Sequence, residues 1–229
     1  MKFPGLLLAL LALAAGALGA GCQKESGSAP APPAATPSFQ GTIVAVGDSL
    51  TAGFGLQESE AYPALLEKKL HQAGYRWQVI NAGISGETSS GALARVDWIL
   101  KLKPDIVILE TGANDGLRGV DPELTRGNID KTVALLQEKG VVVVLAGMRM
   151  VANLGPAYTR EFADIYPKVA AKHGLILIPF FLAGVAGDAS LNQADGLHPL
   201  APGYKIVAEL VYPYLLQAID RKKTGKSSD

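Results

Sequence analysis

A chain with a single cysteine, Cys22, cannot close a disulfide on itself. Histidine is nearly as scarce, with only His71, His173 and His198 in 229 residues. Three scattered histidines and one early cysteine give no zinc-ligand spacing, so no metal or other cofactor is expected. Excess charge is missing too, because 21 Lys and Arg balance 21 Asp and Glu. A nucleic-acid binder would carry a basic face, so nucleic acid is not an expected partner. Nor is there an apolar run of the roughly 20 residues that a spanning helix needs. A phosphate loop is absent as well. Gly225-Lys226-Ser227 echoes the end of one, but Asp220 stands where its first glycine belongs.

What is present begins with a leader. Met1-Lys2 is a short positive start, Leu6 to Leu18 is almost pure Leu, Ala and Gly, and Gly19-Ala20-Gly21 precedes Cys22. Residues 1–22 are expected to be a secretory signal peptide. The cysteine sits where a lipobox places its lipid acceptor, although Leu18 lies four residues before it rather than the usual three. Lipid on Cys22 would anchor the protein to a membrane in the periplasm or cell envelope; ordinary cleavage nearby is the alternative. Residues 23–38, rich in Ala, Pro and Ser, cannot bury enough surface to order themselves and are expected to form a linker. One domain is expected over residues 39–220, followed by a polar, frayed tail at 221–229.

Inside that domain five Val- and Ile-rich runs lack period-two alternation: Thr42–Val46, Trp77–Ile80, Asp105–Leu109, Val141–Leu145 and Leu175–Ile178. Strands buried on both faces look like this. Between them lie helical stripes at Tyr62, Leu65, Leu66 and Leu70, at Ile129, Val133 and Leu136, and at Tyr158, Phe162, Ile165 and Val169. A last stripe, Val207, Leu210, Val211 and Tyr214, follows Pro202-Gly203, and Ser89 to Leu100 is a weaker helix. The alternation predicts an α/β fold, a three-layer α/β/α sandwich on a flavodoxin-like five-stranded parallel sheet. Ligands of such sheets bind beyond the carboxyl ends of the strands. There the chain reads Gly47-Asp48-Ser49, Asn81-Ala82-Gly83, Thr111-Gly112-Ala113-Asn114-Asp115 and Gly147-Met148-Arg149.

Ser49 in that position can cap a helix or attack a carbonyl, and attack requires a base. His71 and His173 each precede a helix-ending glycine, where a cation suits the helix dipole. His198 lies in a loop, three residues after Asp195. A short turn would let that carboxylate fix the imidazole while the other ring nitrogen takes the serine proton. By itself Asp-x-x-His is a weak signal, equally suited to a turn beside a helix start.

Four blocks together are more specific. "GDSLTAGFG", "NAGISGETSSG", "TGANDGLRG" and "DGLHP" resemble those of the GDSL, or SGNH, hydrolases, in particular the bacterial multifunctional acyl-thioesterase, lysophospholipase and arylesterase branch. The resemblance implies the SGNH hydrolase fold and a serine esterase or thioesterase with Ser49, His198 and Asp195 as the triad. It assigns the oxyanion hole to the N–H groups of Ser49 and Gly83 and the Asn114 amide. Asp48 and Asp115 are expected to be structural. Apolar residues in the surrounding loops, among them Phe54, Leu117, Met150, Val151 and Leu154, are candidates for substrate contact and suggest a greasy acyl or aryl group. Covering the sheet end is their other reading. A carbohydrate O-deacetylase and a non-catalytic fatty-acid-binding lipoprotein are the competing functions.

Overall fold

The computed structural model describes residues 38–150 and 154–226. The expected leader with Cys22, the linker up to residue 37, Val151 and the last three residues lie outside the described residues. Five apolar runs form strands: β1 (Gly41–Gly47), β2 (Trp77–Gly83), β3 (Ile106–Glu110), β4 (Val142–Ala146) and β5 (Ile176–Ile178). All neighbours pair in parallel, in the order β2-β1-β3-β4-β5. Ile43 to Val46 and Ile106 to Leu109 are sealed on both faces, which is why their sequences show no alternation.

The helices are α1 (Ser49–Ala52), α2 (Tyr62–Gln72), α3 (Ser89–Ala94), α4 (Val96–Lys101), α5 (Ala113–Leu117), α6 (Pro122–Glu138), α7 (Pro156–His173) and α8 (Ala201–Lys226). α2 packs with α8, while α3, α4 and α7 gather around α6, so helices flank the sheet in two layers. Tyr62, Leu66 and Leu70 of α2 are fully buried, as are Ile129, Val133 and Leu136 of α6 and Phe162 of α7. Among the described residues no helix is long and apolar enough to cross a membrane.

Three details differ from the expectation. Ser89 to Leu100 is not one helix, because α3 stops at Arg95, whose guanidinium turns back to Glu87 (2.6 and 2.7 Å) and to the Ala82 carbonyl (2.8 Å). The buried face of α8 runs Tyr204, Val207, Ala208, Val211, Leu215, Ala218 and Ile219, leaving Leu210 and Tyr214 half-buried. And α8 continues past residue 220. Arg221 donates to the Gly174 carbonyl (2.8 Å), Lys222 to Gly140 (2.9 Å), and Lys223 lies 5.0 Å from the Tyr75 ring centroid. These cationic side chains hold the last turns against loop carbonyls and an aromatic face that the sequence alone does not bring near.

The chain steps over β1 on its way from β2 to β3, so the strand order reverses at β1 and β3. Ligand crevices form at such a switch point. The segments that leave β1 and β3 there are Gly47-Asp48-Ser49 and Thr111 to Asn114.

Candidate active site

The turn after β1 decides what Ser49 does. Asp48, not Ser49, is the N-cap of α1: its Oδ1 accepts the Leu50 N–H at 2.9 Å. Ser49 is thereby released from the capping role, and its own N–H has no acceptor among the described residues. The glycine before the turn is required for space, since a Cβ on Gly47 would stand 2.4 Å from Glu110 Oε2. Tyr204 of α8 donates to the Leu50 carbonyl at 2.9 Å and pins the turn from below.

Across the sheet end, the 192–199 loop presents the base. An isolated bridge joins Asn192 to Pro199, and Gln193 N–H donates to the His198 carbonyl at 2.7 Å. Within that loop Asp195 Oδ1 accepts the N–H groups of Leu197 (2.8 Å) and His198 (3.0 Å), while Oδ2 lies 2.6 Å from His198 Nδ1. The His198 N–H and ring, with the Leu197 N–H, hold the Asp195 carboxyl down at about 2. His198 Nε2 lies 2.8 Å from Ser49 Oγ, across 149 residues of sequence. Ser49, His198 and Asp195 thus form one hydrogen-bonded relay. The Phe54 ring packs 4.8 Å from the imidazole, and Gln193 Nε2 ties the Phe54 carbonyl (2.7 Å) to this loop.

The other two histidines stay where helix ends put them. His71 meets the Trp77 carbonyl at 2.9 Å, and His173 meets Asp130 at 2.8 Å, just before the left-handed Gly174 cap of α7.

The donors assigned to an oxyanion need one correction. Gly83 N–H donates to the Asn81 side chain at 3.0 Å, so it is not offered to Ser49. Its missing side chain serves packing instead, because a Cβ there would stand 2.2 Å from the Ala52 nitrogen. Three residues on, Gly86 has φ +80 and sits third in a turn closed by Glu87 N–H to the Ile84 carbonyl (3.0 Å). Gly86 N–H has no acceptor among the described residues, and the next carbonyl, Glu87, accepts Asn114 Nδ2 at 3.0 Å. Ser85-Gly86 at the centre of a turn was the sequence signal for it. Asn114 lines the cleft, its amide held by Glu87 and by Asp48 Oδ2 (3.0 Å). Asp115 turns away from the cleft, to the Ser89 N–H (2.7 Å) and hydroxyl (2.5 Å), and buttresses the start of α3.

Around Ser49, Asn114 and His198 the cleft is walled by Leu50, Ala113, Leu117, Met148, Met150, Leu182 and Leu197, with Arg149 at its edge. Of the expected substrate contacts, Leu117 and Met150 are in this wall. Phe54 covers the imidazole instead, and Leu154 is not among the lining residues. Met148 stood in a segment expected at the ligand edge but was not named as a contact, and Leu197 was not foreseen, because an apolar residue beside a histidine looks like core in sequence. Arg149 is exposed, with its guanidinium 5.1 Å from the Phe180 ring centroid. A buried residue was missed entirely: Glu110 ends β3 with no exposure, its Oε2 accepting the Asp48 N–H (3.2 Å) and the Thr51 hydroxyl (2.9 Å). A carboxylic acid closing the apolar run Ile-Val-Ile-Leu-Glu was its only trace.

Residues 45–206 match the family described as GDSL-like Lipase/Acylhydrolase. The chain is 42% identical to esterase TesA of Pseudomonas aeruginosa, over 76% of this chain and 87% of that protein. It is 37% identical to the Escherichia coli K12 protein named thioesterase 1/protease 1/lysophospholipase L1, over 73% and 80%. Among solved structures, the psychrotrophic esterase EstA of Pseudoalteromonas, inhibited by monoethylphosphonate, superimposes with a TM-score of 0.75 at 33% identity, covering 79% of this chain and 99% of that one.

Proposed function

The chain belongs to the GDSL-like lipase/acylhydrolase family, and from that premise we propose that it hydrolyses carboxylic esters and thioesters of acyl chains through an acyl-enzyme on Ser49. The observation that carries this reading is the Ser49–His198–Asp195 relay opening into an apolar cleft. His198 Nε2 takes the Ser49 proton as Oγ attacks the acyl carbon. Asp195, ionised at any pH well above 2, stabilises the imidazolium and holds the ring. The tetrahedral oxyanion is met by the Ser49 N–H and by an Asn114 N–H shared with Asp48 or Glu87, with the Gly86 N–H as third donor. His198 then returns the proton to the leaving alcohol or thiol and activates the water that releases the acid. The acyl chain lies along Leu117, Met148, Met150 and Leu182.

The relatives' names, esterase and thioesterase with lysophospholipase, support the same bond types. The test is turnover of p-nitrophenyl esters and acyl thioesters of graded chain length, with stoichiometric labelling of Ser49 by an organophosphonate. Undiminished hydrolysis by Ser49→Ala would overturn the reading. Turnover confined to acetate esters would turn it toward a carbohydrate O-deacetylase, and binding without turnover toward a fatty-acid carrier.

Export is part of the same proposal: residues 1–22 direct the chain to the cell envelope, and lipid on Cys22 anchors it there. Radiolabelled palmitate should enter the wild-type chain and not Cys22→Ser. Equal incorporation by both, or by neither, would remove the anchor.

A further inference from the structure

Beneath the nucleophile lies a buried acid that the acyl-transfer scheme does not use. Glu110 spans the turn: its Oε2 takes the N–H of the residue before Ser49 and the hydroxyl of Thr51, two residues after it. Gly47 leaves the space this requires. Glu110 Oε1 is sealed from solvent with no partner. The groups that face the carboxyl are Asp48 from the turn, Tyr62 from α2, Tyr166 from α7 and Tyr204 from α8, with His198 acting on Asp48. No amine or guanidinium is among them, so nothing there compensates a second negative charge.

We propose that Glu110 is a positioning residue for the reaction: it keeps its proton beside the Asp48 carboxylate and in that state fixes the backbone on both sides of Ser49 and, through Asp48, the Asn114 amide. The proposal rests on the acyl-enzyme reading above. Asp48 is the partner that carries the charge, because its oxygens accept the Leu50 N–H and the Asn114 amide. Glu110 is the partner that keeps the proton. Burial foremost, and then the Asp48 charge, push its carboxyl well above the ordinary range. The Asp48 N–H reaches Glu110 Oε2 at 3.2 Å, so the two acids sit together at one buried turn and their protonation is linked. While the pair holds its proton, the turn and Asn114 are in register. As pH rises and the proton leaves, two carboxylates repel in a dry site and turnover falls.

The experiment is the pH profile of kcat and KM for a p-nitrophenyl ester in wild type, Glu110→Gln, Glu110→Ala and Thr51→Val, from about pH 6 to about pH 10. Glutamine reproduces the protonated acid. Glu110→Ala should lower kcat by about 10- to 100-fold with little change in KM, the scale of an ångström-sized misplacement. Glu110→Gln should restore most of that kcat and lose the alkaline fall, and Thr51→Val should lower kcat in part. If Glu110→Ala does not fold, the other two variants carry the comparison. A folded Glu110→Ala with wild-type kcat, a Glu110→Gln that keeps the wild-type alkaline fall, or one as impaired as alanine would each overturn the inference. A wild type that turns over no ester would instead overturn the acyl-enzyme reading itself.

Discussion

Asp195 is held on the same loop as His198, and its side chain is 39% exposed. Water can therefore take over part of its role. Replacing it with Asn should lower kcat/KM by about 10²- to 10⁴-fold, the upper end being what the triad template gives for a buried aspartate. Steady-state kinetics at neutral pH check this. The same carboxyl, depressed from 3.8 to about 2, adds stability that is fully present above 3.8 and lost as pH falls through 2. The difference in urea midpoint between wild type and Asp195→Asn should thus stay constant above about pH 5 and shrink toward pH 2. Gly83→Ala tests the reassigned glycine. A methyl 2.2 Å from the Ala52 nitrogen forces backbone apart, and a loss of about 1–3 kcal/mol in denaturant unfolding is expected.

Between single residues and the sheet lie elements whose ends are fixed from outside. Arg95, at the break between α3 and α4, pairs with Glu87, and the two side chains are 13% and 6% exposed. The Glu87 carbonyl in turn holds Asn114. Arg95→Ala leaves a nearly buried carboxylate unpaired, so a loss of about 3–5 kcal/mol is expected in thermal or urea unfolding. Turnover should fall with it, because Asn114 loses one of its two supports. The last turns of α8 are a milder case. Lys222 reaches both the Gly140 carbonyl and Asp105 (3.6 Å). Lys222→Ala should cost about 1 kcal/mol and leave kcat unchanged, since these contacts lie at the far end of the helix from Ser49. The stripes of α2, α6 and α7 were legible in sequence because burial repeats with the helical period. The break at Arg95 and the run of α8 to Lys226 were not, because both depend on partners tens of residues away.

Over the whole molecule, the sheet order β2-β1-β3-β4-β5 explains why residues 49, 114 and 198 share one crevice. β1 and β3 are neighbours, so the segments leaving them emerge side by side, and the loop before α8 closes the crevice from above. The sequence by itself determined the layer architecture, since unbroken Val and Ile runs between amphipathic stripes have few other ways to bury their surface. It also pointed to Ser49, Asn114, Asp195 and His198, but through the resemblance of four blocks to the GDSL hydrolases, since Asp-x-x-His by itself is a weak signal. Only the tertiary structure decided which N–H groups are free. Gly83 and Gly86 differ in this although their letters are the same: one donates to Asn81, and the other has no acceptor among the described residues. It also brought Glu110 beneath Ser49, because a strand's last side chain can face solvent or core, and only the helices packed over it determine which.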